Sequence, residues 1–214
     1  MTTAFIIRFH YNEDDPRFKW RFEYFNKAVL PKILKQKDQD FDICIRCNPV
    51  HNQLFMDLCP KIKTFQVKNE QARYFKGRNN KQYFEDHVDW CDVIGLEQYD
   101  LQIGLDSDDL IDEHYVELIK KEVAKYKEHY KSLHICFQPM MYRLKNGKKK
   151  AMMAYTPTRG SAFMALYQPD KINYKFIYCM SHISLCKLVE KSVVIPQGHC
   201  WATAHNINES TGKK

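Results

Sequence analysis

The sequence contains 214 residues, of which 44% are hydrophobic and 14% aromatic, and its formal net charge is +7. This length fits one domain, and the apolar fraction can bury a sizeable core, so a disordered chain is excluded. The content of 7 Gly and 8 Pro also excludes a collagen-like or low-complexity protein.

The expected compartment is the cytoplasm, with peripheral attachment to a membrane surface as an alternative. The apolar segment at the N-terminus is short and is broken by Arg8, unlike a signal peptide. No uncharged apolar window is long enough for a transmembrane helix. The eight cysteines are expected to be reduced thiols.

The first half of the chain alternates between predicted strands and helices. TAFIIRF is predicted to be a strand, and the next helix begins with Asp15 as its N-cap and Pro16 as its first residue. Pro31 is expected to kink or divide this helix. FDICIRC is the second predicted strand, followed by a short helix over about residues 50–58 and by a third strand, KIKTFQV.

The alternation continues to the middle of the chain. RNNKQYFEDHVDWCDV is predicted to be helical, YDLQIGL to be a strand, and DDLIDEHYVELIKKEVAKYKEHY to be an amphipathic helix. Strands that alternate with helices predict an α/β fold with a mostly parallel, doubly wound (Rossmann-like) central sheet and flanking helices.

The second half of the chain is predicted to be more irregular and is strongly basic. Two apolar stretches flank Asn146-Gly147 in HICFQPMMYRLKNGKKKAMMAY, which predicts a hairpin. A helix over residues 181–191 and a short strand, SVVIP, follow. From His129 onward there are 13 Lys and Arg against 3 Asp and Glu, whereas the chain before it has 20 against 23. The positive field of this half would attract phosphates or other anions.

Three aspartates lie close together at the C-terminal end of the fourth predicted strand, namely Asp106, Asp108 and Asp109. Ligands of α/β sheets bind beyond the carboxyl ends of the strands, and carboxylate oxygens there suit Mg²⁺ or Mn²⁺. The alternative is structural: Asp108, Asp109 and Asp112 would cap the next helix and complement its dipole.

The segment GLDSDDLIDEHYVELI resembles the D-x-D region of GT-A-fold glycosyltransferases. The surroundings resemble one branch of these enzymes, the putative rhamnosyltransferase-like family. The likeness includes IIRFHYNEDDPRFKWRFEYFNKAVLPKILKQKDQDFDICI at the start and GHCWATAHNINES near the end. The resemblance implies one GT-A-like domain over residues 1–214. Residues 1–128 would be the nucleotide-sugar-binding half, residues 129–207 the acceptor-side half, and residues 208–214 a loose tail.

The resemblance also implies a metal-dependent transfer of a sugar from a nucleotide-diphosphate sugar to a glycan, lipid or protein. The cofactor would be Mn²⁺ or Mg²⁺, a Lewis acid for the leaving diphosphate. Asp106 would contact the ribose or a metal-bound water, and Asp108, with Asp109 beside it, would ligate the metal. His205 is the matching C-terminal histidine ligand, and His199 is the second choice.

Several further residues are assigned to the donor or to catalysis. Arg8 and Phe9 would meet the base and ribose, although a salt-bridged arginine beside a core phenylalanine is an equal alternative. The other predicted donor contacts are Arg73, Arg78, Ser107 and Arg159. An inverting transferase needs a base, for which Glu190, Asp170, Glu209 and His182 are the candidates. A partner protein or an oligomer is expected to complete acceptor recognition, whereas nucleic acid is not the expected partner.

Three rival interpretations remain open. Cys44, Cys47, His51 and Cys59 have a spacing that could bind zinc, or the cysteines could be small buried hydrophobes. The acidic residues could serve a metal-dependent nucleotidyltransferase or nuclease. The basic half, with its RLKNGKKK hairpin, could belong to a non-catalytic nucleic-acid-binding protein.

Overall fold

The fold comes from a computed structural model. It describes residues 1–9, 16–65, 95–145, 148–152, 163–170, 177, 185–196 and 198–204. In that part of the chain no helix is long and apolar enough to cross a membrane.

A seven-stranded sheet forms the centre of the fold. Its strands are β1 Thr3–Phe9, β2 Asp42–Cys47, β3 Ile62–Phe65, β4 Leu101–Asp106, β6 Leu133–Phe137, β9 Met164–Tyr167 and β10 Lys191–Ile195, and their order is β10-β6-β9-β4-β1-β2-β3. All neighbours are parallel except that β9 runs antiparallel to both β4 and β6. The predicted α/β class with a mostly parallel sheet is therefore confirmed.

The four strands predicted in the first half occupy one side of this sheet. The two strands β1 and β4, which are far apart in the chain, pair with Arg8 opposite Asp106. On its other side β1 pairs with β2, with Arg8 opposite Arg46. Because the strands are parallel, their carboxyl ends meet at one edge of the sheet, which we call the carboxyl edge.

The first helical segment changes its hydrogen-bonding pattern before Pro31. Helix α1, Pro16–Tyr24, continues through a π-helical turn, Phe25–Val29, into α2, Leu30–Leu34. Pro31 has no N–H to donate to the carbonyl four residues earlier. The wider turn just before it, in which the Leu30 N–H donates to the Phe25 carbonyl, accommodates this interruption. The predicted division of the helix is thus observed as a π-turn.

The segment after the acidic residues begins as a strand rather than a helix. Leu110–Ile111 forms β5, and α4 begins at Tyr115 and ends at Tyr126. In a second sheet, β5 pairs antiparallel with β11, Cys200–Ala204. The β11 strand in turn pairs with β7, Met140–Lys145, which forms the predicted hairpin with β8, Lys148–Met152. The short helix expected over residues 50–58 is a 3₁₀ turn, Pro49–His51, followed by α3, Asn52–Met56.

Alternation along the strands gives the central sheet two different faces. Phe5, Ile7 and Phe9 of β1 belong to the large core that α1, α2 and α4 cover. Ala4 and Ile6 belong to a smaller core on the opposite face, with Cys44, Met164 and Leu166. Arg8 follows Ile6 by two positions and therefore lies on the face of the smaller core.

Candidate active site

The carboxyl edge of the sheet brings together three charged residues from three strands. Arg46 of β2, Arg8 of β1 and Asp106 of β4 occupy the same level of the sheet. Their neighbours Ile45, Ile7 and Leu105 belong to the large core, so the three charged residues lie on the opposite face. We call them the charged row.

Within this row, Arg8 is bonded to Asp106. The Arg8 Nη2 atom donates to Asp106 Oδ1 over 3.0 Å, and the side chains are 30% and 33% exposed. Both groups therefore remain accessible at the edge where α/β proteins bind ligands. This is the salt-bridged arginine that the sequence left as an alternative to a donor contact.

Asp108 has a different environment, because it is buried. Its carboxylate forms an ion pair with Arg21 of α1, and the side chain of each is 6% exposed. Ser107 and Asp109 are also buried, and the Asp109 backbone N–H donates to the Asp106 carbonyl over 3.2 Å. The tight turn after β4 thus directs Asp106 to the surface and Asp108 inward.

Asp112 is linked to His199 through both main chain and side chain. The Asp112 N–H donates to the His199 carbonyl over 3.0 Å, and Asp112 Oδ2 lies 2.7 Å from His199 Nδ1. Asp112 Oδ1 also accepts the His114 N–H. Because α4 begins only at Tyr115, the capping alternative does not describe Asp108 or Asp109, which precede β5.

The described carboxylates do not by themselves fit the predicted metal centre. Asp106 and Asp108 already have arginine partners. Among the residues that the structure describes, no three His, Cys, Asp or Glu side chains are arranged to hold a metal ion. His205, the third predicted ligand, lies outside the described residues. The requirement for Mn²⁺ or Mg²⁺ therefore stays a prediction.

Two predicted site residues lie in the wrong place for their roles. The Phe9 side chain is fully buried in the large core, so it packs against that core instead of contacting a nucleotide. Glu190 directly precedes β10 and accepts the Lys131 N–H over 2.6 Å. Lys191 pairs with Leu133 at the start of β6. Leu133 pairs across β9 with Tyr167, which in turn pairs with Leu101 at the start of β4. Glu190 is therefore at the opposite edge of the sheet, roughly 20 Å from Asp106 along the strands.

The remaining candidates divide into those at the far edge and those outside the described residues. Asp170 follows β9 and lies near Asp100, because the Gln168 N–H donates to the Asp100 carbonyl, so Asp170 also lies away from the charged row. The candidates outside the described residues are Arg73, Arg78, Arg159, His182 and Glu209, and for these the sequence predictions stand as made.

The zinc alternative conflicts with the geometry of β2. Cys44 packs in the smaller core and Cys47 in the large core, because residues three apart in a strand point to opposite faces. Burial also raises the pKa of each thiol to about 12, so both thiols are protonated when no metal is bound. These two cysteines are buried small hydrophobic residues, as the other interpretation held.

Two arginines that contribute to the site were missed by the sequence analysis. Arg46 could have been found, because β1 and β2 share the pattern apolar-Ile-Arg-apolar in IIRF and CIRC. Arg21 lies between Trp20 and Phe22 in the aromatic-rich helical segment PRFKWRFEY. Its pairing with Asp108 joins residues 87 positions apart, for which the local sequence contains no signal.

Comparisons with known proteins identify the family. A family model described as putative rhamnosyl transferase matches residues 5–214. This chain belongs to that family. Comparison with curated proteins gives no significant match. Membership of a glycosyltransferase family agrees with the resemblance carried by GLDSDDLIDEHYVELI and its flanking segments.

Solved structures with the same fold include S. aureus TarS. The TarS 1–349 complex with UDP-GlcNAc has a TM-score of 0.58 at 13% identity, covering 100% of this chain and 62% of the TarS chain. The complex with UDP has a TM-score of 0.51 at 14% identity, covering 95% and 61%. The chain thus spans about three fifths of the TarS 1–349 chain. At this identity the similarity shows the fold.

Proposed function

We propose that this protein is a glycosyltransferase that moves a sugar from a nucleotide-diphosphate sugar to a hydroxyl group of a glycan, lipid or protein. The observation that carries the proposal is the family match over residues 5–214. The fold supports it, because the similar TarS structures were solved with UDP-GlcNAc and UDP. The charged row lies at the carboxyl edge, where a fold of this class binds its ligands.

The reaction forms one bond and breaks another at the anomeric carbon of the donor. An acceptor oxygen bonds to this carbon, while the bond to the diphosphate oxygen breaks and the nucleoside diphosphate leaves with the electron pair. A base removes the acceptor proton, and for this role His182 and Glu209 stay predictions. The leaving diphosphate gains negative charge, which cationic donors fixed at the carboxyl edge, such as Arg8, would stabilise.

A donor screen tests this proposal directly. The full chain would be incubated with UDP-GlcNAc and with other nucleotide sugars, including a nucleotide-activated rhamnose, with Mn²⁺ and with EDTA. We expect slow release of a nucleoside diphosphate from at least one donor, because water can replace the acceptor. Asp106→Asn should reduce this release. Complete absence of release and of nucleotide binding with every donor would contradict the proposal.

A further inference from the structure

The C-terminal end of α4 and the start of β10 form a cluster of tyrosines and lysines. Tyr126 is the last residue of α4, and Tyr130 follows one turn later, since its N–H donates to the Tyr126 carbonyl over 3.1 Å. The two ring centroids are 6.3 Å apart. Both rings, like Val193 of β10, pack against the large core. Lys191 begins β10 and lies on the same face of the sheet, because it is two positions before Val193.

The lysines of this cluster are held over the tyrosine rings. Lys191 Nζ lies 5.6 Å from the centroid of the Tyr126 ring and 5.9 Å from that of Tyr130. Lys125 Nζ lies 4.8 Å from the Tyr126 centroid. These distances are typical of cation–π contacts. Each contact restricts the rotamers of a long side chain, so less conformational entropy is lost when its ammonium group binds an anion.

An exposed apolar side chain lies in the adjoining turn. Glu190 connects this turn to the end of α4, because its carboxylate accepts the Lys131 N–H over 2.6 Å and its own N–H donates to the Ser132 hydroxyl over 3.0 Å. Leu188, two residues earlier, is 47% exposed. We call six residues of this region the basic-aromatic patch, namely Lys125, Tyr126, Tyr130, Lys131, Leu188 and Lys191.

The patch and its neighbours in the chain carry a net positive charge. Residues 125–131 and 187–191 contain five lysines and two glutamates. Of these glutamates, Glu190 accepts a main-chain N–H. Glu128, and Glu122 one turn earlier on α4, each lie within 4.0 Å of a lysine ammonium group. The field that remains attracts anionic groups.

The chemistry of the patch fits the surface of a membrane that contains anionic lipids. Lysines are attracted to such a surface, and tyrosines are enriched at the boundary between membrane and water. An exposed leucine among them can enter the region between headgroups and acyl chains. A soluble polyanion would have no use for Leu188, and the lysine ammonium groups lie over ring faces on which bases or sugars would stack. These features favour lipid over a soluble polyanion.

We propose that the basic-aromatic patch docks this protein on an anionic lipid surface. The ammonium groups of Lys125, Lys131 and Lys191 contact lipid phosphates, and Leu188 lies between the headgroups. Lys191 is at the amino ends of the parallel strands, roughly 16 Å from Asp106 along them. Docking through the patch therefore leaves the charged row at the carboxyl edge accessible. The inference goes beyond the proposed function and does not depend on it.

Vesicle sedimentation of the full chain tests the docking surface. The vesicles would contain phosphatidylcholine alone, or phosphatidylcholine with about one third phosphatidylglycerol as the anionic lipid. We expect binding to the anionic vesicles to exceed binding to the neutral ones about tenfold or more at about 0.1 M salt. At about 1 M salt most of this difference should disappear, because the Debye length falls from roughly 10 to 3 Å.

Single substitutions assign the binding to the patch. Lys131→Gln and Lys191→Gln should each weaken binding to anionic vesicles about fivefold, the effect of one lysine near the surface. Leu188→Gln should weaken it by a similar factor, because apolar contact with the lipid is lost. Lys191→Arg keeps both the charge and the cation–π contact, so it should bind as the unmodified protein does.

Lys61→Gln is the matched control. Lys61 Nζ also lies over an aromatic ring, 4.8 Å from the Phe41 centroid. Lys61 directly precedes β3, which is at the far side of the sheet from β10, roughly 29 Å away across six strand spacings. The substitution therefore removes the same charge and the same kind of contact at a distance greater than the Debye length at 0.1 M salt. We expect its binding to be unchanged.

Three results would overturn the proposal. The first is equal binding to neutral and anionic vesicles, or no binding to either. The second is equal weakening by Lys131→Gln and Lys61→Gln, since any surface lysine would then suffice; Lys131 is exposed and provides this test even if Lys191→Gln fails to fold. The third is binding of soluble dextran sulfate without binding of vesicles, which would identify a polyanion as the partner. The donor screen tests the transferase proposal separately.

Discussion

Asp106 and Asp108 are two positions apart, yet the fold gives them different environments. Asp106 ends β4 at the carboxyl edge, one-third exposed beside Arg8. Asp108 is buried against Arg21, so its charge is compensated inside the protein. A buried carboxylate is stable only with such a partner, because the desolvation cost of an isolated charge is several kcal/mol. The aspartate pattern therefore contains one accessible residue and one that anchors the turn to α1.

Arg21→Met is predicted to destabilise the protein strongly. It removes the cation but leaves Asp108 buried, which typically lowers the free energy of unfolding by about 3–5 kcal/mol. Urea denaturation followed by circular dichroism would measure the change. Adding Asp108→Asn to the same variant should restore part of the loss, since the uncompensated charge is then gone. A double variant no more stable than Arg21→Met would contradict the role of this ion pair.

At the scale of elements, polar contacts link β2, β3 and the segment before β4 near the amino ends of these strands. Asp42 begins β2, and its Oδ2 atom lies 2.6 Å from Lys63 Nζ of β3 and 2.6 Å from the Tyr99 hydroxyl, just before β4. Burial alone would raise the pKa of Asp42. The hydrogen bonds from Lys63 and Tyr99, together with the lysine charge, outweigh burial and hold that pKa below its usual value.

This lowered pKa predicts an acid-sensitive contribution to stability. The Asp42 carboxylate binds a proton more weakly in the folded state than in the unfolded chain. Its contribution to stability is therefore complete above the unfolded-state pKa of about 4. It is lost as the pH falls through the lower pKa of the folded state. The free energy of unfolding should therefore fall more steeply between about pH 5 and 3 in the unmodified protein than in Asp42→Asn. The assignment would be refuted if the free energies of unfolding of the two proteins, measured in urea, decreased equally as the pH falls.

At the scale of the whole molecule, the candidate site residues that the structure describes are divided between the two ends of the strands of the central sheet. The carboxyl edge holds the charged row, whereas Glu190 and Asp170 lie at the other edge. Near the middle of the chain, Asp106 and Asp108 form ion pairs with Arg8 and Arg21, and Asp112 lies within hydrogen-bond distance of His199. We therefore expect the fold to remain stable without a metal ion between these carboxylates.

Metal removal tests this statement about the whole molecule. The melting temperature in EDTA should lie within about 2 °C of that in Mn²⁺, since a chain of this length shifts by roughly 2–4 °C per kcal/mol. Differential scanning calorimetry of the nucleotide-free protein would measure it. A drop of several degrees in EDTA that Mn²⁺ reverses would show instead that a metal holds the acidic segment.

The residues of the candidate site were predictable in part. Arg8 and Asp106 were selected correctly as residues at strand ends, because the carboxyl ends of parallel strands meet at one edge. The sequence predicts that Phe9 contacts the donor. Phe9 is instead a core residue, because strand alternation places it on the face opposite Arg8. The chemistry of its carboxylate alone favours Glu190 as a base, and only the parallel direction of β10 reveals that it lies at the far edge.

The sequence by itself determined the α/β class, the four parallel strands of the first half, the hairpin of β7 and β8, and the family. These features follow from local periodicity, turn residues and contiguous motifs, which are encoded over short stretches of chain. The tertiary structure alone decided the partners of the aspartates and the strand conformation of Leu110–Ile111. Arg21 lies 87 positions from Asp108, and β11 lies about 90 positions from β5. Local patterns contain no information about such distant pairings, which packing selects.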